Sequence, residues 1–460
     1  MNRKTWLVTG IVCVLIAAFL FVFSDARVRS KDTRQISGSE FHYRVNGLNT
    51  AENTVSLELL IRDAASGRWH LAGDSRATRI ANFQVSAARP VAMPTPGPDG
   101  QAAAWVFDNP CRQDLIVRWD ALPGGIARHG HQGWIDADYA LLEGAIYLIP
   151  KDAMRTNAEP GKIRVRVAEE LRDKFASTMV EDAEGLNPAL DGKLAFSSLK
   201  NSTIVFGIFD RSEREVRGVH VRIFLPQEWT EAGKAEINET LFRLFQVFSG
   251  VTPLRNITQY TVILTRGSSD WSERRVLGSM WSSGQAFSYA GHKPWRVLEL
   301  FLHRLGHAAN RYPPSGMVFA HEDEWFVEGW ASWIEFEYPR LAELSGSERL
   351  SYVLRWYHKV LQGKTDYADV PLEQPAAQRS TVQNEYLHYC KAPLAVRKLD
   401  AELKWLSNGE RDVSGLMKTI YEKYGGTRTV VRFKEELSAY AGTDMDGFID
   451  RFIRGTERVD

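Results

Sequence analysis

The stretch Leu298-Glu-Leu-Phe-Leu-His-Arg-Leu-Gly-His-Ala-Ala-Asn310 repeats its apolar residues at helical spacing and carries two histidines four positions apart. Leu298, Phe301, Leu302 and Leu305 line one stripe, which predicts a helix over 295–309. In that helix His303 and His307 lie on one face, a turn apart. Two imidazoles so placed can chelate one tetrahedral zinc, a metal that prefers nitrogen, sulfur and carboxylate oxygen donors. Such a pair on an amphipathic helix can equally be structural. A second helix-like segment, Glu324-Trp-Phe-Val-Glu-Gly-Trp-Ala-Ser-Trp333, places Glu328 21 residues after His307. If that helix turns back against the first, Glu328 supplies a third donor and one position stays open for water.

Outward from this segment the chain changes texture. Between Phe41 and Asp210 short alternating runs recur, among them Val55-Ser-Leu-Glu-Leu-Leu-Ile61, Asp114-Leu-Ile-Val-Arg-Trp119 and Ile163-Arg-Val-Arg-Val167. Gly, Pro, Asn and Asp clusters separate them, the pattern of a sandwich-like β module. The proline-rich stretch from Pro90 to Gly100 is expected to be a loop. From Val219 onward strands and helices mix. Val219–Phe224 and Ile257–Leu264 are predicted strands and Glu236–Phe248 a predicted helix, and the chain after Trp295 is mainly helical.

The order of these pieces resembles the glycyl aminopeptidase family of zinc peptidases, within the gluzincin group. Members carry His-Glu-x-x-His followed by Trp-x-x-Glu-Gly, which this chain matches as His303-Arg-Leu-Gly-His307 and Trp325-Phe-Val-Glu-Gly329. Phe196–Gly207 resembles the segment that enters the catalytic domain, and Tyr389-Cys-Lys-Ala392 resembles a Tyr-x-Lys-Gly motif. The closing helices are similar around Leu416–Tyr424 and Phe448–Gly455, so the resemblance covers roughly residues 40 to 457. It implies an α+β fold, with a β-sandwich-like domain over 36–210 and a thermolysin-like (gluzincin) catalytic-type domain over 211–460 that ends in a mainly helical lobe. It also implies zinc on His303, His307 and Glu328, with Tyr389 as an oxyanion donor; an ordinary packed tyrosine is the alternative for Tyr389.

The match fails at one decisive position. Where the family has the glutamate that takes a proton from the attacking water, this chain has Arg304. A general base must accept a proton near neutral pH, and arginine stays protonated with a pKa above ~12. Arg304 also opposes a dication: at ~5 Å and an effective dielectric of ~20, each pair of unit charges repels by roughly 3 kcal/mol. Zinc is therefore the implied cofactor, and Arg304 gives a physical route to its loss through a pair with Glu328 or Glu299. In the alternative, Arg304 points away and zinc binds normally. Two further departures are the absence of a carboxylate from Val276–Gln285, where the family has Gly-Gly-Leu-Glu-His, and Ala392 in place of a glycine. The expectation is a pseudopeptidase that binds a peptide or protein segment. The rival is an active zinc aminopeptidase with a non-standard general base.

Composition sets the remaining bounds. Lys plus Arg and Asp plus Glu number 57 each, so no global attraction to nucleic acid or anionic lipid follows, and no nucleic-acid motif is present. The three cysteines, Cys13, Cys111 and Cys390, do not make a disulfide framework. His129-Gly-His131 is a weak metal motif in a glycine-rich loop. An apolar run of 18 residues, Trp6–Phe23, follows Arg3 and Lys4 and is just long enough to span ~30 Å of hydrocarbon. Ser24-Asp25-Ala26 fits a signal-peptide cleavage site, so residues 1–35 are expected to be a membrane anchor or a cleaved signal. Either way the rest of the chain is expected outside the cytoplasm, tethered to the membrane in the first case and secreted in the second.

Overall fold

Alternating apolar residues build the first part of the chain. The computed structural model describes residues 36, 38–73, 78–86, 89–92, 104–123, 133–135, 138–151, 153, 160–188, 195–252, 257–266, 276–281, 284–289, 294–310, 317–344, 348–374, 381–425, 427 and 429–460. These fall into two compact units, one reaching Asp173 and including Glu181–Lys200, the other made of Lys174–Val180 and Asn201–Asp460. The expected division at Asp210 lies within the strand Phe209–Val216. The N-terminal segment 1–35, His129, His131 and most of the proline-rich loop lie outside the described residues. Among the described residues no helix is long and apolar enough to cross a membrane.

The first unit contains two sheets facing one another. Glu40–Asn49 pairs antiparallel with Thr54–Ala64 and parallel with Lys162–Val167, and Thr54–Ala64 pairs in turn with Gln113–Pro123. The register sets Tyr43 opposite Leu59 and Leu59 opposite Val117, with all three buried, so the period-2 pattern lays one apolar face across the sheet. Gly67–Ala72 and Ala104–Asn109 form the centre of the second sheet, with Trp69 opposite Phe107. Phe41 of the first sheet meets Trp69 of the second at a centroid distance of 6.5 Å, closing the sandwich core. The short helix Ala195–Lys200 adds Phe196, edge-on to Phe41 at 4.9 Å.

The second unit begins with a five-stranded mixed sheet. Phe209–Val216 and Val219–Pro226 form a hairpin whose two-residue turn places Arg217 (φ 50°) and Gly218 (φ 81°) in the left-handed region that a tight right-twisted hairpin requires. Helix Glu231–Val251 then crosses to Gln259–Arg266, parallel to Val219–Pro226. Thr230 caps this helix by accepting from the Gly233 amide, and Leu241, Leu244, Phe245 and Phe248 are buried along it. Gly284–Tyr289 continues the sheet in parallel, and Val276–Trp281 closes it as an antiparallel edge.

Two helices follow that matter most, Pro294–Asn310 (the histidine helix) and Glu324–Leu341 (the glutamate helix). Their contact depends on Gly306, where an added Cβ would come within 2.9 Å of Ala331 Cα. Only a residue without a side chain permits that approach. The remaining helices, Arg349–Leu361, Thr381–Tyr386, Ala392–Leu406, Val413–Tyr424 and Phe433–Ala441, form the helical lobe. Between Thr381–Tyr386 and Ala392–Leu406 the turn Leu387–Lys391 opens to π geometry. Pro393 gives a reason, since it has no amide hydrogen for the Tyr389 carbonyl and its ring would crowd that carbonyl in a regular α-turn. The molecule is thus an α+β fold with a sheet-rich first part and a helical C-terminal region.

Candidate metal centre

Helix geometry brings the two histidines together, and helix packing brings the glutamate to them. The apolar stripe of the histidine helix, Leu298, Phe301, Leu302 and Leu305, is buried, which turns His303 and His307 toward the glutamate helix. Their Nε2 atoms are 3.1 Å apart. Glu328 Oε2 lies 3.2 Å from His307 Nε2 and 3.7 Å from His303 Nε2. All three residues are buried. Gly329 explains why a glycine follows this glutamate: a Cβ there would approach the Ala392 backbone to 3.0 Å.

A second set of side chains holds the rings. His303 Nδ1 is 2.9 Å from Glu335 Oε1, and Glu335 Oε2 is 2.6 Å from Arg349 Nε. Asn310 donates its amide to the Val327 carbonyl at 2.8 Å, which directs Asn310 Oδ1 to His307 Nδ1 at 3.3 Å. Both histidines therefore donate from Nδ1 to an oxygen behind them and turn a bare Nε2 lone pair forward, the orientation that metal-ligating imidazoles adopt. Burial holds the His303 pKa below the ordinary imidazole value, against the raising effect of Glu335, which favours the neutral, ligating form.

Three acceptors, two imidazole nitrogens and a carboxylate oxygen, thus converge with no proton assigned between them. Mutual repulsion makes such a cluster costly unless a cation shares it. Its edges of 3.1, 3.2 and 3.7 Å bracket the ~3.3 Å edge of a tetrahedron with metal–ligand distances of ~2.05 Å. The donor set fits zinc. It is the one group of three or more such residues found among the described residues.

Arg304 does not fill this space. Its pairing with Glu328, one of the two partners read from the sequence, is not formed, since Glu328 Oε2 faces the histidines. Glu299, the other partner, is buried near Arg349. Arg304 Nε is buried without a hydrogen-bond partner among the described residues. Its charge is sensed by Tyr260, which is fully buried in the central sheet. Tyr389 is 37% exposed, with its ring centroid 5.7 Å from that of His303. Lys391, two residues on, is buried on Asp369 at 2.9 Å and the Val370 carbonyl at 2.8 Å, which anchors the π-turn carrying Tyr389.

Sequence reasoning brought His303, His307 and Glu328 to one place and missed Glu335, Arg349 and Asn310. Two of the three had a local signal. Asn310 follows His307 by three residues and Glu335 follows Glu328 by seven, so each shares a helix face with a ligand. Arg349 comes from another helix and had none.

No family profile and no curated protein matches the chain. Solved structures do. An aminopeptidase N family protein from Idiomarina loihiensis superposes with a TM-score of 0.69 at 13% identity, covering 91% of this chain and 77% of that one. An M1 zinc metallopeptidase from Deinococcus radiodurans gives 0.55 at 14% identity, covering 92% and 94%. Legionella pneumophila aminopeptidase A, solved in complex with aspartic acid, gives 0.55 at 13% identity over 92% of this chain, which spans 49% of that protein's length. At these identities the likeness concerns the fold alone, an α+β fold shared with these aminopeptidase and zinc metallopeptidase structures.

Proposed function

We propose that this chain is a membrane-tethered, extracytoplasmic pseudopeptidase that holds zinc on His303, His307 and Glu328 and binds a peptide or protein segment without cutting it. The observation that carries this reading is a complete donor set standing beside a permanent cation at the base position. Zinc bound there would supply a Lewis acid toward a carbonyl oxygen or water. The chain's own residues do the rest. Tyr389, half-exposed beside His303, can donate a hydrogen bond to a substrate carbonyl. Arg304 can donate hydrogen bonds but cannot accept a proton. Glu335 does not replace the missing base, because it lies on the Nδ1 side of His303, away from the donor cluster, and is held by Arg349. The tether rests on the apolar run Trp6–Phe23.

Metal analysis of the full purified chain, with peptide-cleavage assays across diverse free and blocked peptides, tests this. The expected result is one zinc per chain and no turnover, with Arg304→Glu gaining chelator-sensitive cleavage on the order of 10²–10⁴-fold above background. Cleavage by the unaltered chain that disappears with chelator or in His307→Ala would establish the second reading. That reading is an active zinc aminopeptidase with a non-standard base, and it is favoured by the intact donor set with Tyr389 beside it.

A further inference from the structure

We infer that the altered site selects its ligand by negative charge: it takes a peptide by a carboxylate, at the C-terminus or on an acidic side chain, and rejects an N-terminal ammonium. The inference rests on the zinc-holding, non-cutting reading above and names the ligand class for the same site.

Arg304 follows His303 directly and precedes His307 by three residues, so its side chain leaves the helix about 5–6 Å from that of His307. Its Nε is buried and has no hydrogen-bond partner among the described residues. Tyr260, close enough to sense the charge, receives a hydrogen bond from Gln285, whose Nε2 also donates to the Phe301 carbonyl. Gln285 is fully buried, and its Oε1 has no donor among the described residues. The polar groups that the described residues place near Arg304 include these two neutral side chains. A guanidinium offers a planar fork of N–H donors that matches a carboxylate in shape and charge.

Counting formal charges shows what one residue decides. With both imidazoles neutral, zinc (+2), Glu328 (−1) and Arg304 (+1) sum to +2. Behind His303 the buried set Glu299, Glu335 and Arg349 adds −1, so these groups of the described residues together come to +1. A glutamate at position 304 would bring the same sum to −1. The sign that a ligand meets is therefore set by position 304, and a positive, partly desolvated site attracts carboxylate and repels ammonium.

The test compares three probes on the full zinc-loaded chain by calorimetry: N-acetyl-Ala-Ala with a free carboxylate, its C-terminal amide, and Ala-Ala amide with a free ammonium. The carboxylate probe is expected to bind at least tenfold more tightly than either of the others. Arg304→Glu is expected to reverse the order, and Arg304→Gln, which keeps much of the bulk, to erase it. Equal binding of the three probes, or preference for the ammonium probe, by protein containing zinc overturns the inference while leaving the metal reading intact. Zinc assayed in the same samples scores that reading separately. Carboxylate preference without stoichiometric zinc keeps the role of Arg304 and overturns the proposed metal.

Discussion

The two sides of His303 are built on opposite electrostatic rules. Behind the ring, Glu335 accepts from Nδ1 and is itself held by Arg349, so a buried carboxylate meets a buried cation. In front, three acceptors converge within 3.7 Å, and the neighbouring cation, Arg304, is paired with none of them. The matched side is what keeps a ligand in place. The front side is a donor set that fits a metal. Holding a metal and using it for hydrolysis are separate properties, and this chain places a donor set that fits a metal beside a residue that cannot accept a proton.

Removing a front-side donor should have the largest effect. Glu328→Ala is expected to lower zinc affinity by on the order of a thousandfold, read by competition with a chromogenic chelator, because one of only three protein donors is lost. Unchanged affinity would mean the cluster is not the metal site. On the matched side, Arg349→Met leaves Glu335 and Glu299 buried without their cation and is expected to cost about 3 kcal/mol of stability in denaturant unfolding. A neutral outcome would show that Arg349 does not compensate them.

Asp323, at the start of the glutamate helix, tests the same rule where no cation among the described residues is a cause of its pKa shift. Burial raises its pKa to about 6, against the lowering effect of the Phe433 amide that it accepts at 3.1 Å. The folded chain then binds this proton more tightly than the unfolded chain, so stability should fall as pH rises from about 4 to about 6 and stay at the lower level above. Asp323→Asn keeps an acceptor for Phe433 and is expected to gain about 2 kcal/mol at pH 7.5 and to flatten that slope. The smallest effect is expected for Glu335→Gln, about tenfold in zinc affinity by the same chelator titration, since the amide oxygen can still receive the His303 N–H. A loss as large as that of Glu328→Ala would erase the distinction between the two sides.

Local order explains what could be read without coordinates. His303 and His307 are joined by one helical turn, and the strands of the first unit announce themselves by alternation, as in Val55–Ile61. Glu328 needed one long-range assumption, that its helix folds back, and Gly306 is the residue that lets the two helices come physically close, while Gly329 seats the same helix on Ala392. The predicted helix Glu236–Phe248 runs from Glu231 to Val251 in the structure, because the cap at Thr230 lies before the apolar stripe begins. The π-turn at Leu387–Lys391 was not foreseen, although Pro393 is visible in the sequence.

The sequence by itself determined that two imidazoles share a helix face and that position 304 carries a charge no proton transfer can remove, because both follow from covalent order and side-chain chemistry. Tertiary structure alone decided where Glu328 meets them, that Arg304 is not its partner, and that Arg349 stands behind Glu335. Those are distances between groups far apart in the chain, and only the packing of helices against one another, close at Gly306, sets them.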